Sequence, residues 1–395
     1  MKRKNKGRKI YKTKEKNYYG KSPAGKFMSG LLTVLLIGGI GFIGYSVAEP
    51  IINYTQHKGD EPSESTKAEE NTSGDVTEGA TDPSSGEKIT AELFTAAHLR
   101  ASDLTDMKSL QSALNSVPQG EGIEYVEVPL KVKGGKVYYA SSCAEAKMSG
   151  AIQSSLTLGD INSAIKESGY KPAASVSVFC DNILPVSYPD TGFKTVDDGS
   201  QWLDNDPANG GKPWVSPFSS SALSYVSDIV SEVSAAGFDR VVCSDIMFPY
   251  FRESDLELLD EKLGKTERFM ALTSAANMLY DKAVTNGASM YIEVSAADML
   301  RGNGDVLKPM LLSANTVVVN IDVEELKGGI TNGQMLYEFE GTPDEIADKC
   351  LKFVKDDLAD FNVIVRLSGE GRTAQELLNA SKVISSYGYS SFVIG

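Results

Sequence analysis

The chain has 395 residues and a formal net charge of −14, with 39 Lys and Arg residues against 53 Asp and Glu residues. It contains two histidines, His57 and His98, which argues against a Ser-His-Asp triad and against a metal site built from several histidines. The composition therefore predicts a protein without a metal centre.

The charges at the N-terminus are unevenly distributed. Residues 1–26 contain eleven Lys and Arg residues and one acid, Glu15, and 22 uncharged residues follow at 27–48. A helix of that length can cross the roughly 30 Å of a bilayer's hydrocarbon core, and the positive-inside rule places the basic side in the cytoplasm. We predict a single-pass transmembrane anchor at 27–48 with residues 1–26 as a basic cytoplasmic tail. The alternative is a long signal peptide cleaved after Ser46-Val47-Ala48.

A polar segment follows the predicted anchor. Residues 55–88 contain one Val and no other large apolar side chain, and they are rich in Ser, Thr, Glu, Asp and Gly. Such a segment buries too little apolar surface to fold, so we predict a disordered acidic linker at 49–88. The body at 89–395 is then extracytoplasmic and has the usual size of one α/β barrel. The basic tail is typical of a topogenic signal, and no nucleic-acid partner is predicted.

Short apolar strands alternate with helical patterns from residue 89 onward. Eight strands are predicted, at 93–100, 124–132, 174–180, 240–246, 289–295, 316–322, 362–367 and 391–394. Repeated strand–helix alternation indicates a parallel sheet, and eight strands favour closure into a (β/α)8 TIM-type barrel. No phosphate loop occurs and no G-x-G-x-x-G follows the first strand, so we predict no cofactor.

The four cysteines, at 143, 180, 243 and 350, form no C-x-x-C pair and no zinc-like spacing. We expect them to be buried and reduced. Cys180 and Cys243 are both predicted inside strands, which makes them candidate neighbours in the barrel.

An acid follows the fourth predicted strand. The stretch R-V-V-C-S-D-I-M-F-P at 240–249 is a buried strand that delivers Asp245 to its C-terminal end, where barrels of this type place their chemistry. The alternative is that Asp245 only caps the segment that follows the strand.

Further polar candidates lie at other strand ends. Asp181 follows the third strand, Glu293 lies in the fifth and Asp322 ends the sixth. An acid inside a β-branched strand is unfavourable unless it faces a polar site or an ion-pair partner. Glu293 is therefore expected either to face the barrel mouth or to pair with an Arg such as Arg366. We place Arg366 and Asp181 among the candidate substrate-binding residues.

The loop after the third strand is long and aromatic. It holds Tyr188, Trp202 and Trp214, which include both tryptophans of the chain. Exposed aromatic faces beside carboxylates suit sugar rings, so these three are candidate substrate contacts. The alternative is a loop that packs on itself and buries its tryptophans.

Residues 211–249 resemble the central motif of a bacterial glycoside hydrolase-like family of barrels that are often tethered outside the membrane. In that family a Trp and a Pro precede the third helix, a G-F-D-E-I-like turn follows it, and a D-Y-x-R-F-P-like strand end carries the catalytic Asp. The matching positions are Trp214, Pro217, Tyr225, Gly237, Phe238, Asp239, Asp245, Phe248 and Pro249. The resemblance implies a glycosidase-type barrel with Asp245 as its catalytic acid and Glu293 at the family's fifth-strand acid.

The sequence departs from the family pattern at three places. Met247 stands where the family usually has Arg, Val128-Pro129-Leu130 replaces an acidic second-strand end, and the sixth strand reads V-V-V-N-I-D. The leading hypothesis is hydrolysis of a polysaccharide or cell-wall glycan by two carboxylates, Asp245 and Glu293, with Asp322 in reserve. The alternatives are a non-catalytic glycan-binding or scaffold barrel, which the departures favour, and an enzyme acting on phosphorylated metabolites.

Overall fold

The computed structural model describes residues 93–259, 263–302 and 312–395. Eight parallel strands close into a barrel in the order β1-β10-β9-β6-β5-β4-β3-β2, which confirms the predicted (β/α)8 architecture. These strands are β1 (Thr95–His98), β2 (Tyr125–Lys131), β3 (Lys171–Ser177), β4 (Arg240–Ser244), β5 (Ser289–Ser295), β6 (Thr316–Asp322), β9 (Asn362–Ser368) and β10 (Ser391–Ile394). A separate antiparallel hairpin pairs β7 (Ile330–Asn332) with β8 (Met335–Tyr337).

Helices surround the barrel. They are α1 (Met107–Leu114), α2 (Ala144–Met148), α3 (Leu158–Glu167), α4 (Leu184–Ser187), α5 (Ser220–Ala235), α6 (Glu253–Leu258), α7 (Lys265–Thr285), α8 (Ala296–Arg301), α9 (Val323–Lys327), α10 (Pro343–Val354) and α11 (Ala374–Ala380). Within residues 93–259, 263–302 and 312–395, no helix is long and apolar enough to span a membrane. The predicted tail, anchor and linker at 1–26, 27–48 and 49–88 lie outside the described residues.

The helix boundaries follow from capping residues in the sequence. Thr342 and Thr373 open α10 and α11, and their backbone amides donate to the carboxylates of Glu345 and Glu376. In α11 the Thr373 hydroxyl also accepts from the Glu376 amide. Ser219 caps α5, and Gly237 takes a φ of 84° just beyond its end, a conformation that glycine adopts without steric cost. The chain then turns directly into β4.

The barrel interior changes character along each strand. Near the N-terminal ends it is filled by a buried apolar cluster of Phe94, Ala96, Tyr125, Ala173, Val242, Tyr291, Val318, Ile364 and Val393. Side chains two residues apart on a strand point to the same face. Two residues beyond these apolar positions the interior becomes polar, with His98, Glu127, Ser175, Ser244, Glu293, Asn320 and Arg366. The barrel interior is therefore apolar near the N-terminal ends of the strands and polar near their C-terminal ends.

The third strand lies three residues earlier than predicted, because Lys171–Ser177 pairs with both neighbouring strands. Cys180 therefore lies in the loop after β3 and not in a strand beside Cys243, which corrects that expectation. All four cysteines are buried and free, as predicted.

Candidate active site

A cavity of about 1090 Å³ opens at the C-terminal ends of the barrel strands. Its lining includes Asp245, Glu293, Asp322, Trp214, Tyr250 and Arg301. An adjoining cavity of about 240 Å³ is lined by His98, Lys131 and Arg366 and shares Lys133, Ser244, Asp245, Glu293 and Asn320 with the first. The structure thus brings Asp245 and Glu293, from neighbouring strands, into one cleft.

Asp245 has an unusual backbone conformation. Its φ of 54° makes it the only non-glycine residue with a positive φ in the part of the chain that the structure describes. Asp and Asn tolerate this left-handed region better than most residues, but it still costs about 1 kcal/mol or more and is concentrated at functional sites. The Ser177 hydroxyl donates to the Asp245 Oδ2 atom over 2.5 Å. This turn directs the carboxylate to the cleft and the hydroxyl fixes its orientation.

Glu293 both faces the cleft and forms an ion pair, so the two expected alternatives coexist. Its Oε2 atom accepts from Arg366 Nε at 2.8 Å, and its Oε1 atom accepts from Asn320 at 3.3 Å. Burial raises the pKa of Glu293; the charge of Arg366 opposes that effect without cancelling it. A carboxyl group with a raised pKa is the form that a general acid needs.

Asp322 lines the same cleft, but its Oδ1 atom already accepts from the amides of Glu324 and Glu325, each at 3.0 Å. It therefore serves as the N-cap of α9. Arg301 lies nearby and bridges Asp298 at 2.9 Å and Glu325 at 2.8 Å. This wall of the cleft is polar, and its charges are paired with one another.

The aromatic residues of the third loop divide between the cleft and the core. Trp214 lines the cleft, half-buried, with its indole N–H donating to Asp204 at 2.9 Å. Trp202 is 4% exposed and packs edge-on against Phe193, with ring centroids 6.0 Å apart. Tyr188 is half-buried and lines neither cavity. The loop therefore packs partly on itself, and only Trp214 of the three is placed to contact a ligand.

Asp181 is also withdrawn from the cleft. It is 1% exposed, its Oδ2 atom lies 3.1 Å from the Nζ atom of the equally buried Lys131, and its Oδ1 atom accepts from the amides of Ile183 and Leu184. Its position does not support the expected contact with substrate, because the carboxylate is buried and held by Lys131 and the two amides. Arg366 lines the smaller cavity, but its guanidinium is engaged by two carboxylates.

Glu127 and His98, which were not among the predicted site residues, complete the polar cluster around Arg366. Glu127 on β2 accepts from Arg366 Nη2 at 2.7 Å, and its carboxylate lies 2.7 Å from the Nδ1 atom of His98 on β1. A signal was present, since Glu127 follows the buried Tyr125 by two residues and thus lies on the same inward face. Among the described residues no group of His, Cys, Asp and Glu side chains is placed to hold a metal ion.

The two tryptophans give a first prediction. Trp214→Ala should weaken glycan binding with little loss of stability, because it removes a wall of the cleft. Trp202→Ala should lower the free energy of unfolding by about 3–5 kcal/mol, because it empties a buried aromatic cluster. Chemical denaturation and a glycan-binding titration of both variants check this. Equal destabilisation in the two variants would contradict the division between cleft and core.

The barrel sequence matches a known protein family. Residues 96–302, more than half of the chain, match the family model DUF4015, described as "putative glycosyl hydrolase domain". The chain belongs to this family. The resemblance read from residues 211–249 is thereby confirmed, and membership supports a glycoside hydrolase-like function on a glycan. A comparison with curated proteins finds no match.

Several solved structures align with this barrel. The glycoside hydrolase domain of PgaB (BpsB) from Bordetella bronchiseptica aligns with a TM-score of 0.51 and 13% identity, over 77% of this chain and 93% of that one. A hypothetical protein from Ruminiclostridium thermocellum aligns with a TM-score of 0.41 and 20% identity, over 50% and 96%. The glycoside hydrolase domain of PelA from Pseudomonas aeruginosa aligns with a TM-score of 0.40 and 14% identity, over 76% and 94%. Of the three, the PgaB domain has a TM-score above 0.5, and at 13% identity its likeness to this chain concerns the fold alone.

Proposed function

We propose that this protein hydrolyses a polysaccharide or cell-wall glycan by a two-carboxylate mechanism, with Glu293 and Asp245 as the reacting acids. One observation carries the proposal: the two carboxyl groups share one cleft but have different surroundings. Glycoside hydrolysis requires one acid that gives a proton to the leaving group and one carboxylate that attacks or stabilises the sugar cation. Different surroundings allow one carboxyl group to serve as the proton donor and the other as the ionised carboxylate.

Glu293 is the proposed general acid/base. Burial raises its pKa, so it holds a proton at higher pH than an exposed glutamate would. Asp245 is the proposed nucleophile or charge stabiliser, and its strained turn together with the hydroxyl of Ser177 holds it in one orientation. A fixed carboxylate needs little reorganisation when positive charge develops on the sugar.

The cleft also suits a glycan by its size and lining. Its volume of about 1090 Å³ exceeds that needed for one sugar ring, and Trp214 and the 59% exposed Tyr250 offer aromatic faces. Paired polar groups such as Asp298 and Arg301 provide hydrogen-bonding capacity for hydroxyl groups. These features support an extended carbohydrate as the substrate class.

The experiment is a screen of purified 89–395 against cell-wall and other polysaccharides, scored by newly formed reducing ends. We expect release from at least one glycan, and Glu293→Gln should suppress it. No release from any glycan that the protein binds would reject hydrolysis.

A second candidate is a non-catalytic glycan-binding barrel. Two observations favour it: Met247 lines the cleft where the family usually has Arg, and Glu293 is already held in an ion pair with Arg366. This candidate predicts that Asp245→Asn binds glycan as tightly as the unchanged protein does, and that neither protein releases reducing ends.

We further propose that the barrel works outside the cytoplasm, anchored by residues 27–48 and separated from the membrane by the linker at 49–88. The charge asymmetry across the uncharged run supports this orientation. Protease added to intact cells should release a fragment that begins within 55–88. A barrel that stays protected would contradict the orientation, and mature protein starting at Glu49 would replace the anchor with a signal peptide.

A further inference from the structure

Arg366 on β9 joins two carboxylates inside the barrel, those of Glu293 on β5 and Glu127 on β2. Its Nε atom donates to Glu293 at 2.8 Å and its Nη2 atom donates to Glu127 at 2.7 Å. Arg366 is 4% exposed and Glu127 is 0% exposed, so solvent screens these interactions weakly. His98 adds a contact of 2.7 Å to the same Oε1 atom of Glu127. The four side chains form one connected network. Of them, Glu293 lines the large cleft, and Glu293, His98 and Arg366 line the smaller cavity.

A contribution to stability does not by itself explain why the barrel contains this buried network. Buried ion pairs are often no more stable than well-packed apolar side chains, because removing charges from water is costly. The Oε2 atom of Glu127 is buried and, within the described part of the chain, has no hydrogen-bond partner, which adds a further cost. A buried charge cluster with such a defect, lying beside a proposed reacting acid, calls for a functional explanation.

We infer that Glu127 is a positioning residue: it shares the Arg366 guanidinium with Glu293 and thereby supports the role of Glu293 as the general acid. The inference rests on the proposed role of Glu293 as general acid. Glu127 itself does not line either cavity and is not placed to touch a substrate.

The electrostatics of the network support this role. Arg366 alone would favour the ionised form of Glu293 and so oppose its action as an acid. Glu127 occupies the other side of the guanidinium and adds a like charge, and both effects raise the pKa of Glu293. Burial would raise the pKa of Glu127 as well, but Arg366 and His98 outweigh it and hold that pKa at about 2. Glu127 therefore stays negative at neutral and mildly acidic pH and remains a second acid on Arg366.

The charged groups around Glu293 act on it in both directions. Arg366 and His98 favour its ionised form, whereas Glu127 and Asp245 oppose it. Lys131 and Lys133 line the smaller cavity beside it, and the larger cavity is also lined by Arg268, Asp298, Arg301, Asp322 and Glu325. Lys131 is paired with Asp181, and Asp245 acts on Glu293 in the same direction as Glu127. Of these groups, Glu127 is the acid that holds Arg366.

The test is a direct titration of Glu293 by NMR of carboxyl-labelled protein, with the signal assigned from Glu293→Gln. In Glu127→Gln we expect the Glu293 midpoint to fall by about one pH unit or more, since the cation is no longer shared with a second acid. The matched control is Glu232→Gln. Glu232 lines neither cavity and accepts from Tyr139 and Ser141, so its loss removes a hydrogen-bonded carboxylate elsewhere and should leave the Glu293 midpoint unchanged.

An unchanged Glu293 midpoint in Glu127→Gln, or equal shifts in both variants, would overturn the inference. If Glu127→Gln does not fold, Glu127→Asp replaces it. Its shorter side chain withdraws from Arg366, so the Glu293 midpoint should fall by a smaller amount, and a midpoint that stays constant or rises would again overturn the inference. The titration needs no substrate, so its outcome is independent of whether hydrolysis is found. Where hydrolysis is found, the alkaline limb of kcat/KM should move to lower pH in Glu127→Gln.

Discussion

Replacing Asp245 by Asn should abolish glycan hydrolysis while leaving the barrel folded. Asn has nearly the same shape, tolerates the left-handed conformation that Asp245 adopts and can still accept the Ser177 hydrogen bond. It cannot attack or stabilise a sugar cation, so we expect activity to fall by roughly 10³-fold or more. The thermal midpoint should stay constant or rise, because a negative charge near Glu293 is removed.

Asp239→Asn is the matched control for this prediction. Asp239 is exposed and directly precedes β4, so it lies at the opposite end of the same strand. Its replacement should change neither activity nor stability appreciably. A midpoint for Asp245→Asn that falls by several degrees, with activity retained, would show instead that Asp245 is a structural cap.

Replacing Arg366 by Gln should lower the free energy of unfolding by about 3–5 kcal/mol at neutral pH. The change leaves Glu127 and Glu293 buried without the cation that they share. Arg372→Gln is the control, because Arg372 pairs with Glu324 and Glu376 near the surface and its loss should lower the stability much less. Denaturant unfolding of both variants at pH 7.5 checks this, and similar losses in the two would refute it.

The loss in Arg366→Gln should shrink as the pH falls. In the unchanged protein the pKa of Glu127 is held at about 2, below its ordinary 4.5. The stability that this ion pair contributes is therefore present above about pH 4.5 and is lost as the pH falls towards 2. The pKa of Glu293 is raised, so its effect on stability has the opposite sign: its ionisation destabilises the fold as the pH rises through that pKa. Without Arg366 both acids favour protonation. The free energies of unfolding of the unchanged protein and of Arg366→Gln should therefore differ less at pH 4 than at pH 7.5.

The local pattern of the sequence was enough to predict the barrel and to place Asp245 at the C-terminal end of its fourth strand. Hydrophobic strands at a regular spacing, capping boxes at Thr342 and Thr373 and a strand that runs directly into Asp245 are features of short segments. Secondary structure and strand direction depend mainly on such segments, and parallel strands bring their C-terminal ends to one face. The sequence by itself therefore determined the fold class and the end of the barrel where the polar side chains gather.

The tertiary structure decided which of these side chains work together. Glu127 and Arg366 are 239 residues apart and meet only because the barrel closes. Trp202 and Trp214 belong to one loop, yet one is buried in an aromatic cluster and the other lines the cleft. Asp181 follows an apolar strand, Asp322 ends one and Glu293 lies within one. Their partners differ, since Asp181 is buried against Lys131, Asp322 caps a helix at the cleft and Glu293 pairs with Arg366 there. Strand periodicity fixes the face on which a side chain lies, whereas its partner depends on closure and loop packing, which no short segment encodes.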